Sequence, residues 1–127
     1  MISIIILNYN AGQLLIDCVE SIMKSNLEDF EIILVDNLSI DSSHLKCKEK
    51  FDNVILIENK ENIGYCEGNN AGLKSAQGEF IIILNPDTIV TSNWITELKN
   101  AYNKFGEGLY QPKILSMSNP KKLGNWK

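Results

Sequence analysis

The 127-residue chain is long enough for one domain with a real core, and 44% apolar with 8% aromatic content is ordinary for a globular protein. A formal charge of −4 argues against nonspecific nucleic-acid binding and supplies no basic patch for an anionic membrane. All 12 basic residues are lysines, so a bound phosphate has to be held by backbone amides, lysine or a metal rather than by an arginine fork.

The first apolar run, residues 2–7, reads as a buried strand that ends in Asn8-Tyr9-Asn10-Ala11-Gly12. It is too short for a signal-peptide core and lacks a basic leader, and no later run approaches a membrane-spanning length. The expected location is the cytoplasm. Cys18, Cys47 and Cys66 are odd in number with no C-x-x-C pair, which favours buried free thiols in a reducing compartment over disulfides or zinc. Leu15, Cys18 or Val19, and Ile22 recur at helical spacing and predict a helix stopping near Ser25-Asn26. Residues 31–36, EIILVD, read as a second strand ending in an acid. In the polar loop that follows, Asp41 is placed to cap a short helix running toward Phe51.

Residues 53–58 predict a third strand, and the turn-rich 59–64 leads into a helix over 65–76 closed by Gln77-Gly78. Residues 80–84, FIIIL, suit a strand buried on both faces. Thr91-Ser92 offers a cap for a helix with Ile95, Leu98, Tyr102 and Phe105 on one face and Gly106 as its stop. Residues 109–115 suggest a fifth strand, at an edge because of Pro112, and 116–127 form a polar, Lys-rich tail. Strand and helix alternate throughout. The fold class expected is α/β, a Rossmann-like, doubly wound and mainly parallel sheet, with one domain over residues 1–115.

Three polar clusters end three strands: Asn8-Tyr9-Asn10, Asp36-Asn37 and Asn85-Pro86-Asp87. In a doubly wound sheet these ends share one rim and can converge on one crevice. Proline keeps Asn85 extended, so Asn85 and Asp87 are expected to project together. Tyr9 offers a face for a base to stack on, or simply packs; Asp36 offers an acceptor for a base N–H or a ribose hydroxyl. Asp87 offers a hard oxygen ligand to Mg²⁺ or Mn²⁺, or else caps the following helix. Together the three point to a nucleoside-diphosphate site.

The ordered set ISIIILNYN, EIILVDN-x-S-x-D, ENIGY-x-x-GNNAG and GEFIIILNPDT spans residues 2–88 and resembles the opening half of family 2 glycosyltransferases. The resemblance implies a GT-A fold and inverting sugar transfer, and the N-P-D form of the D-x-D motif is similar to the rhamnosyltransferase branch. It further implies that Tyr9 and Asp36 recognise the base, that Asn8 and Asn10 shape that loop, and that Asp87 is the ligand to Mg²⁺ or Mn²⁺ with Asn85 on the ribose side. Asn62, Gly64 and Asn69 match the helix-entry motif beside the diphosphate, where helix-terminal amides favour anions. The implied donor is a nucleotide-diphosphate sugar, UDP- or dTDP-linked, and the implied acceptor a polysaccharide, glycan or lipid-linked hydroxyl, without nucleic acid. Peripheral membrane association of a longer protein is compatible with it.

Leu7 stands where the family often has proline, Leu38 lies inside the D-N-x-S turn, and Gly68 stands where many members carry arginine. After Asp87 the only carboxylates are Glu97 and Glu107, both expected away from the rim, so the catalytic base is expected outside this chain. Residues 116–127 would then begin an acceptor-binding half. An NAD-type dehydrogenase is disfavoured because Asn8-Tyr-Asn-Ala-Gly-Gln13 is not G-x-G-x-x-G. A receiver-like domain would need acids where Asn8 and Asn10 stand. A non-catalytic nucleotide-sugar-binding module remains the alternative.

Overall fold

The alternation of strand and helix patterning is realised as successive βαβ units. The computed structural model describes residues 1–119 and contains, in chain order, β1 (Ile2–Asn8), α1 (Gln13–Met23), β2 (Phe30–Asp36), α2 (Ser43–Lys50), β3 (Ile55–Glu58), α3 (Gly64–Ser75), β4 (Phe80–Leu84) and α4 (Trp94–Phe105). Two compact units are distinguished, the first spanning Met1–Ser92 and the second beginning at Asn93.

In the first unit the four strands form one all-parallel sheet in the order β3-β2-β1-β4. The chain steps from β1 to β2 to β3 in one direction, then returns across the sheet to the far side of β1. Right-handed crossovers therefore put α1 and α2 on one face and α3 on the other. Accordingly α1 packs on α2, while α3 lies over β1 and β2. This is the doubly wound α/β arrangement expected from the sequence. The winding reverses between β1 and β4, so the carboxyl ends of those two strands flank the switch point where such sheets bind ligands.

Side chains alternate across a strand, and Ile4, Ile5, Ile6, Ile33, Leu34 and Val35 are all fully buried, so both faces of β1 and β2 are covered. On α1 the buried stripe is Leu15, Cys18, Val19 and Ile22. By contrast α3 meets the sheet mainly with small residues. Its buried positions are Gly68, Asn69 and Gly72, and Ala71 and Ala76 pack beside Ile5, Ile33 and Val35. A Cβ on Gly72 would stand 2.5 Å from Ile5 Cγ2, and one on Gly68 would stand 2.5 Å from Leu7 Cδ1. The helix backbone therefore rests directly on the sheet. At the sheet's amino end Glu31 Oε1 accepts hydrogen bonds from the Ser3 hydroxyl at 2.5 Å and the Gln77 amide at 2.7 Å, which fixes the α3–β4 connection to β1 and β2.

Several sequence expectations are corrected. The FIIIL run is not buried on both faces. Among the described residues β4 pairs with β1 alone, at the edge of the sheet, and Phe80, Ile81 and Ile83 are exposed, since α3 lies over β1 and β2. Residues 109–115 form no strand beyond a single bridge at Leu115; Pro112 lacks a ladder donor and Leu109 is fully exposed. In the second unit α4 starts at Trp94, with Asn93 as its flanking residue. Its buried residues are Trp94 and Ile95, and Phe105 is exposed. The three cysteines are free, but only Cys18 and Cys47 are buried; Cys66 is exposed.

The α3 contact yields a test. Alanine normally favours a helix interior by about 1 kcal/mol over glycine, but here the added methyl meets a fully buried, β-branched Ile5. Overpacking costs about 1–3 kcal/mol, so Gly72→Ala is expected to destabilise the chain by up to about 2 kcal/mol net. Urea unfolding followed by circular dichroism checks this, and a raised midpoint would contradict the close seating of α3.

Candidate functional site

The carboxyl rim of the sheet is built on a buried polar pair. Parallel register sets Asn8, the last residue of β1, beside Asp36, the last of β2. Asn8 is fully buried and Asp36 is 2% exposed. Asn8 Nδ2 donates to Asp36 Oδ1 at 2.8 Å and to Ser43 Oγ at 2.8 Å, with Ser39 Oγ a longer third contact at 3.1 Å. Asp36 Oδ1 also accepts from the Ser39 hydroxyl at 2.7 Å, and Oδ2 accepts from the Ser39 amide at 2.8 Å. The carboxylate thus closes its own turn, leaving Oδ2 with one engaged partner and spare acceptor capacity.

Asn10 ties two loops together. Its Oδ1 accepts from the Ile40 and Asp41 amides at 2.8 and 3.3 Å, while its own amide donates to Ser39 Oγ at 2.9 Å. Asn10, Leu38 and Ser42 all hold positive φ. Leu38 in that region is a strained choice that the surrounding hydrogen bonds must enforce. Asp41 anchors the same loops: Oδ2 takes the Gly12 amide at 2.9 Å, and Oδ1 takes the Ser43 amide and hydroxyl at 2.9 and 2.7 Å. It thereby serves the start of α2, as expected, although the residue flanking that helix is Ser42. Burial alone would raise the Asp41 carboxyl. Hydrogen bonds from Ser43 and Gly12, and then the charge of His44, outweigh it and hold the carboxyl below its ordinary value.

The third strand end is tied to α3 by Asn37, a residue the sequence analysis did not single out as a site residue. It is 2% exposed. Its Nδ2 donates to Asn62 Oδ1 at 3.2 Å and to the Gly64 carbonyl at 3.1 Å, and its Oδ1 accepts from Asn59 Nδ2 at 2.8 Å. Asn62 Oδ1 in turn takes the Gly64 amide at 3.0 Å. Gly64 has φ 82°, and the space where its Cβ would stand is open. One turn further on, Asn69 Nδ2 donates to the Tyr65 carbonyl at 3.0 Å, while its buried Oδ1 has no hydrogen-bond partner. Among the rim residues not named as site residues from sequence, Asn37 and Ser39 carried a signal as members of the D-N-x-S motif, and Ser43 and His44 carried none.

On the other side of β1, extended geometry stops at Leu84, and Pro86-Asp87 form a turn. The expected strand-like alternation of Asn85 and Asp87 is therefore replaced by a turn, in which the Thr88 hydroxyl donates to the Asn85 carbonyl at 2.7 Å. From α1, the Cys18 thiol donates to that carbonyl at 3.7 Å, and Ser21 Oγ takes the Val90 amide at 3.1 Å. Burial pushes the Cys18 thiol up to about 11, against the opposing hydrogen bonds of Thr88 and with the charge of Asp87 adding to the rise. The thiol is neutral at physiological pH. Tyr65 Oη reaches Asn85 Oδ1 at 3.5 Å, the outer limit of hydrogen bonding.

Tyr9, Asn85 and Asp87 are exposed, whereas Asn8, Asp36 and Asn69 are buried. No group of three or more metal-ligating side chains exists among the described residues. Asp87 has neither a hydrogen bond nor an ion pair there, so its carboxylate is uncommitted. That fits a divalent ion held by one protein oxygen with the remaining ligands from a bound diphosphate and water.

The loop electrostatics give a pH-dependent expectation. A carboxyl lowered in the folded state contributes stability that is present above its unfolded value, 3.8, and is lost as pH falls through the folded one. The parent chain should therefore be more stable than Asp41→Asn at neutral pH, and the gap in melting temperature should narrow below about pH 4. A gap that stays constant down to pH 3 would show that the Asp41 charge is not what anchors the loops.

Comparison with known proteins adds to this geometry. Residues 3–126 match the family model described as Glycosyl transferase family 2. The chain is 39% identical over 101 residues to the glycosyltransferase GlyG of Streptococcus pneumoniae serotype 4, covering 77% of this chain and 34% of the relative. It is 34% identical over 107 residues to the minor teichoic acid biosynthesis protein GgaB of Bacillus subtilis, covering 80% of this chain and 12% of that one. Its fold is similar to residues 1–349 of S. aureus TarS solved in complex with UDP-GlcNAc, with a TM-score of 0.74, 21% identity, and coverage of 93% of this chain and 41% of that one. It is also similar to the mannosyltransferase PcManGT from Pyrobaculum calidifontis in complex with GDP-Man and Mn²⁺, with a TM-score of 0.72 at 19% identity over 89% of this chain and 33% of that one. The chain thus spans about a third or less of the length of these curated relatives.

Proposed function

Since the chain belongs to glycosyl transferase family 2, we propose that its rim is the donor site of an inverting sugar transferase and binds the nucleoside diphosphate of a UDP- or dTDP-linked sugar. The observation that carries this reading is the division of the rim into a buried frame and exposed groups. Asn8, Asp36 and Asn69 are buried, while Tyr9, Asn85 and Asp87 are exposed at strand ends flanking the switch point, Asn85 with only the long Tyr65 contact. The UDP-GlcNAc bound by TarS supports a nucleotide sugar as the ligand.

In this reading Tyr9 stacks on the base, and the spare acceptor capacity of Asp36 Oδ2 takes a base or ribose donor. Asn8 and Asn10 position the loop rather than touch the ligand. Asn85 serves the ribose side. Gly64 and the first amides of α3, with Asn62 and Asn69 holding the entry, face the diphosphate. Asp87 holds Mg²⁺ or Mn²⁺, in keeping with the Mn²⁺ of the PcManGT complex; when bound, the ion neutralises charge on the departing diphosphate. The acceptor is a glycan or lipid-linked hydroxyl, in keeping with the teichoic acid role of GgaB.

Calorimetry with UDP, dTDP and GDP tests the donor reading. Binding should strengthen at least tenfold with Mn²⁺, and Asp87→Ala should abolish that gain without lowering thermal stability. Asp36→Asn, which keeps the shape of the buried side chain, should weaken binding by about 1–3 kcal/mol. Equal affinity with Mn²⁺ and with EDTA would remove the metal from the site.

A second expectation concerns turnover. Glu97 and Glu107, the only carboxylates after Asp87, are both exposed and neither is assigned as a base. These 127 residues alone should bind donor without transferring sugar at a useful rate, since a missing general base costs about 10²–10⁴ and missing acceptor positioning costs more. Mass spectrometry of donor, Mn²⁺ and a panel of acceptors, run beside a longer relative, checks it; product at a comparable rate would show that a base is present.

A further inference from the structure

His44, the one histidine of the chain, stands behind the donor site, and no motif of the family reading involves it. Its side chain is 8% exposed, on the first turn of α2. Nδ1 faces Asp36 Oδ1 at 3.4 Å, and Nε2 faces Glu58 Oε1 at 3.3 Å. Nδ1 is buried and makes no hydrogen bond. Among the described residues His44 is the only side chain able to carry positive charge within ion-pair distance of Asp36.

We propose that His44, as imidazolium, is a positioning residue for the nucleotide site, serving as the counter-charge that holds Asp36 for its ligand. This rests on the donor-site reading above. A carboxylate oxygen faces each ring nitrogen, and imidazolium is the only form with a proton on both. Neutral imidazole must turn a lone pair toward one carboxylate. Asp36 is fixed by Asn8 and Ser39 and cannot withdraw, whereas the Glu58 side chain is 59% exposed and can turn to water. Deprotonation therefore breaks the Glu58–His44–Asp36 chain at its exposed end and leaves a buried carboxylate with neutral partners only. A nucleotide closing over the rim removes water from Asp36 and adds the negative charge of its diphosphate. Both raise the cost of leaving Asp36 without a counter-ion. Protonated His44 and bound nucleotide are thus linked, each favouring the other.

The groups around His44 agree with this sign. β2 presents Asp36, β3 presents Glu58, and the preceding loop presents Asp41, whose carboxyl feels the His44 charge. On α2, Lys48 is turned away to the Asp52 and Val54 carbonyls. Burial raises the neighbouring Cys47 thiol to about 11, so it stays neutral. From α1, Glu20 is paired with Lys24 and Lys50, and Asp17 takes a hydrogen bond from Gln13.

The test is the affinity of the parent chain and of His44→Gln for whichever of UDP, dTDP and GDP binds the parent best, with Mn²⁺, from pH 5.5 to 8.5. Phosphate and metal titrations are common to both proteins and cancel in the ratio of their dissociation constants. At pH 5.5 the variant should bind about fivefold or more weakly, since it loses the counter-charge facing Asp36, and the ratio should approach one at pH 8.5. Glu58→Gln, altered only at the exposed end, should show the same trend at smaller amplitude and serves if His44→Gln does not fold. A ratio flat across pH for both variants overturns the role of His44 while leaving the donor site intact. No binding of any of the three nucleotides by the parent chain at any pH overturns the donor reading, and this inference with it.

Discussion

A buried amide–carboxylate pair at the end of an isoleucine-rich sheet is the constraint on which the rest of the rim depends. Asn8 and Asp36 sit where β1 and β2 run out of hydrophobic partners, and water is excluded from both. A buried carboxylate is tolerated only when its oxygens are met by donors. Those donors are Asn8 Nδ2 and the amide and hydroxyl of Ser39, which bends the chain back over the strand end. Once Ser39 is fixed, the Asn10 amide and side chain fasten the β1 loop to the β2 loop. The positive φ values at Asn10, Leu38 and Ser42 are then consequences of this closure. An apolar swap at Asp36 alone would strand the Ser39 amide and hydroxyl and take one acceptor from Asn8, so the pair and its turn behave as one unit rather than as independent contacts.

A second constraint is steric, and it connects two departures from the family pattern that looked unrelated in sequence. Leu7 and Gly68 touch across the sheet–helix interface, since a Cβ at position 68 would come within 2.5 Å of Leu7 Cδ1 and 3.2 Å of Asn37 Nδ2. The leucine fills the space that a side chain at 68 would occupy. An arginine could not be placed there while Leu7 and Asn37 keep their positions. In the proposed donor site a diphosphate would then be met on this side without arginine, by backbone amides, lysine or a metal, as the arginine-free composition also implies.

The sheet was legible in the sequence because its signal is local: short apolar runs such as ISIIILN and EIILVD end in polar residues, and the helices between them announce themselves by spacing. The burial of each strand was not legible, because it depends on sheet order. FIIIL is as apolar as any interior strand, yet β4 lies at the edge with Ile81 and Ile83 exposed. Pro112 marked residues 109–115 as weak, and the strand did not form. Within the site, motif spacing pointed to Asp36, Asn62 and Gly64, whose local turns it encodes. Asn37 and His44 act through partners 20 or more residues away or across β2 and β3, and sequence spacing carries no such information.

Burial separates the residues that build the rim from those left to meet a ligand. The N-P-D turn shows how the separation is achieved. Cys18 and Thr88 both bond the Asn85 carbonyl, and Ser21 takes the Val90 amide. The loop is therefore gripped by its backbone, from α1 beneath it, and the Asn85 and Asp87 side chains are not consumed in the gripping. The β2 loop works the other way, because there the Asp36 side chain is itself the anchor and only spare lone-pair capacity is offered outward. A cation behind Asp36 matters for that reason, since the same carboxylate must hold the loop and keep an acceptor available. Asp87 anchors no loop, and an exposed carboxylate needs no buried counter-charge. Two acids on one rim thus differ in chemistry through what holds their loops, and the location of His44, behind the first and not the second, follows from that difference.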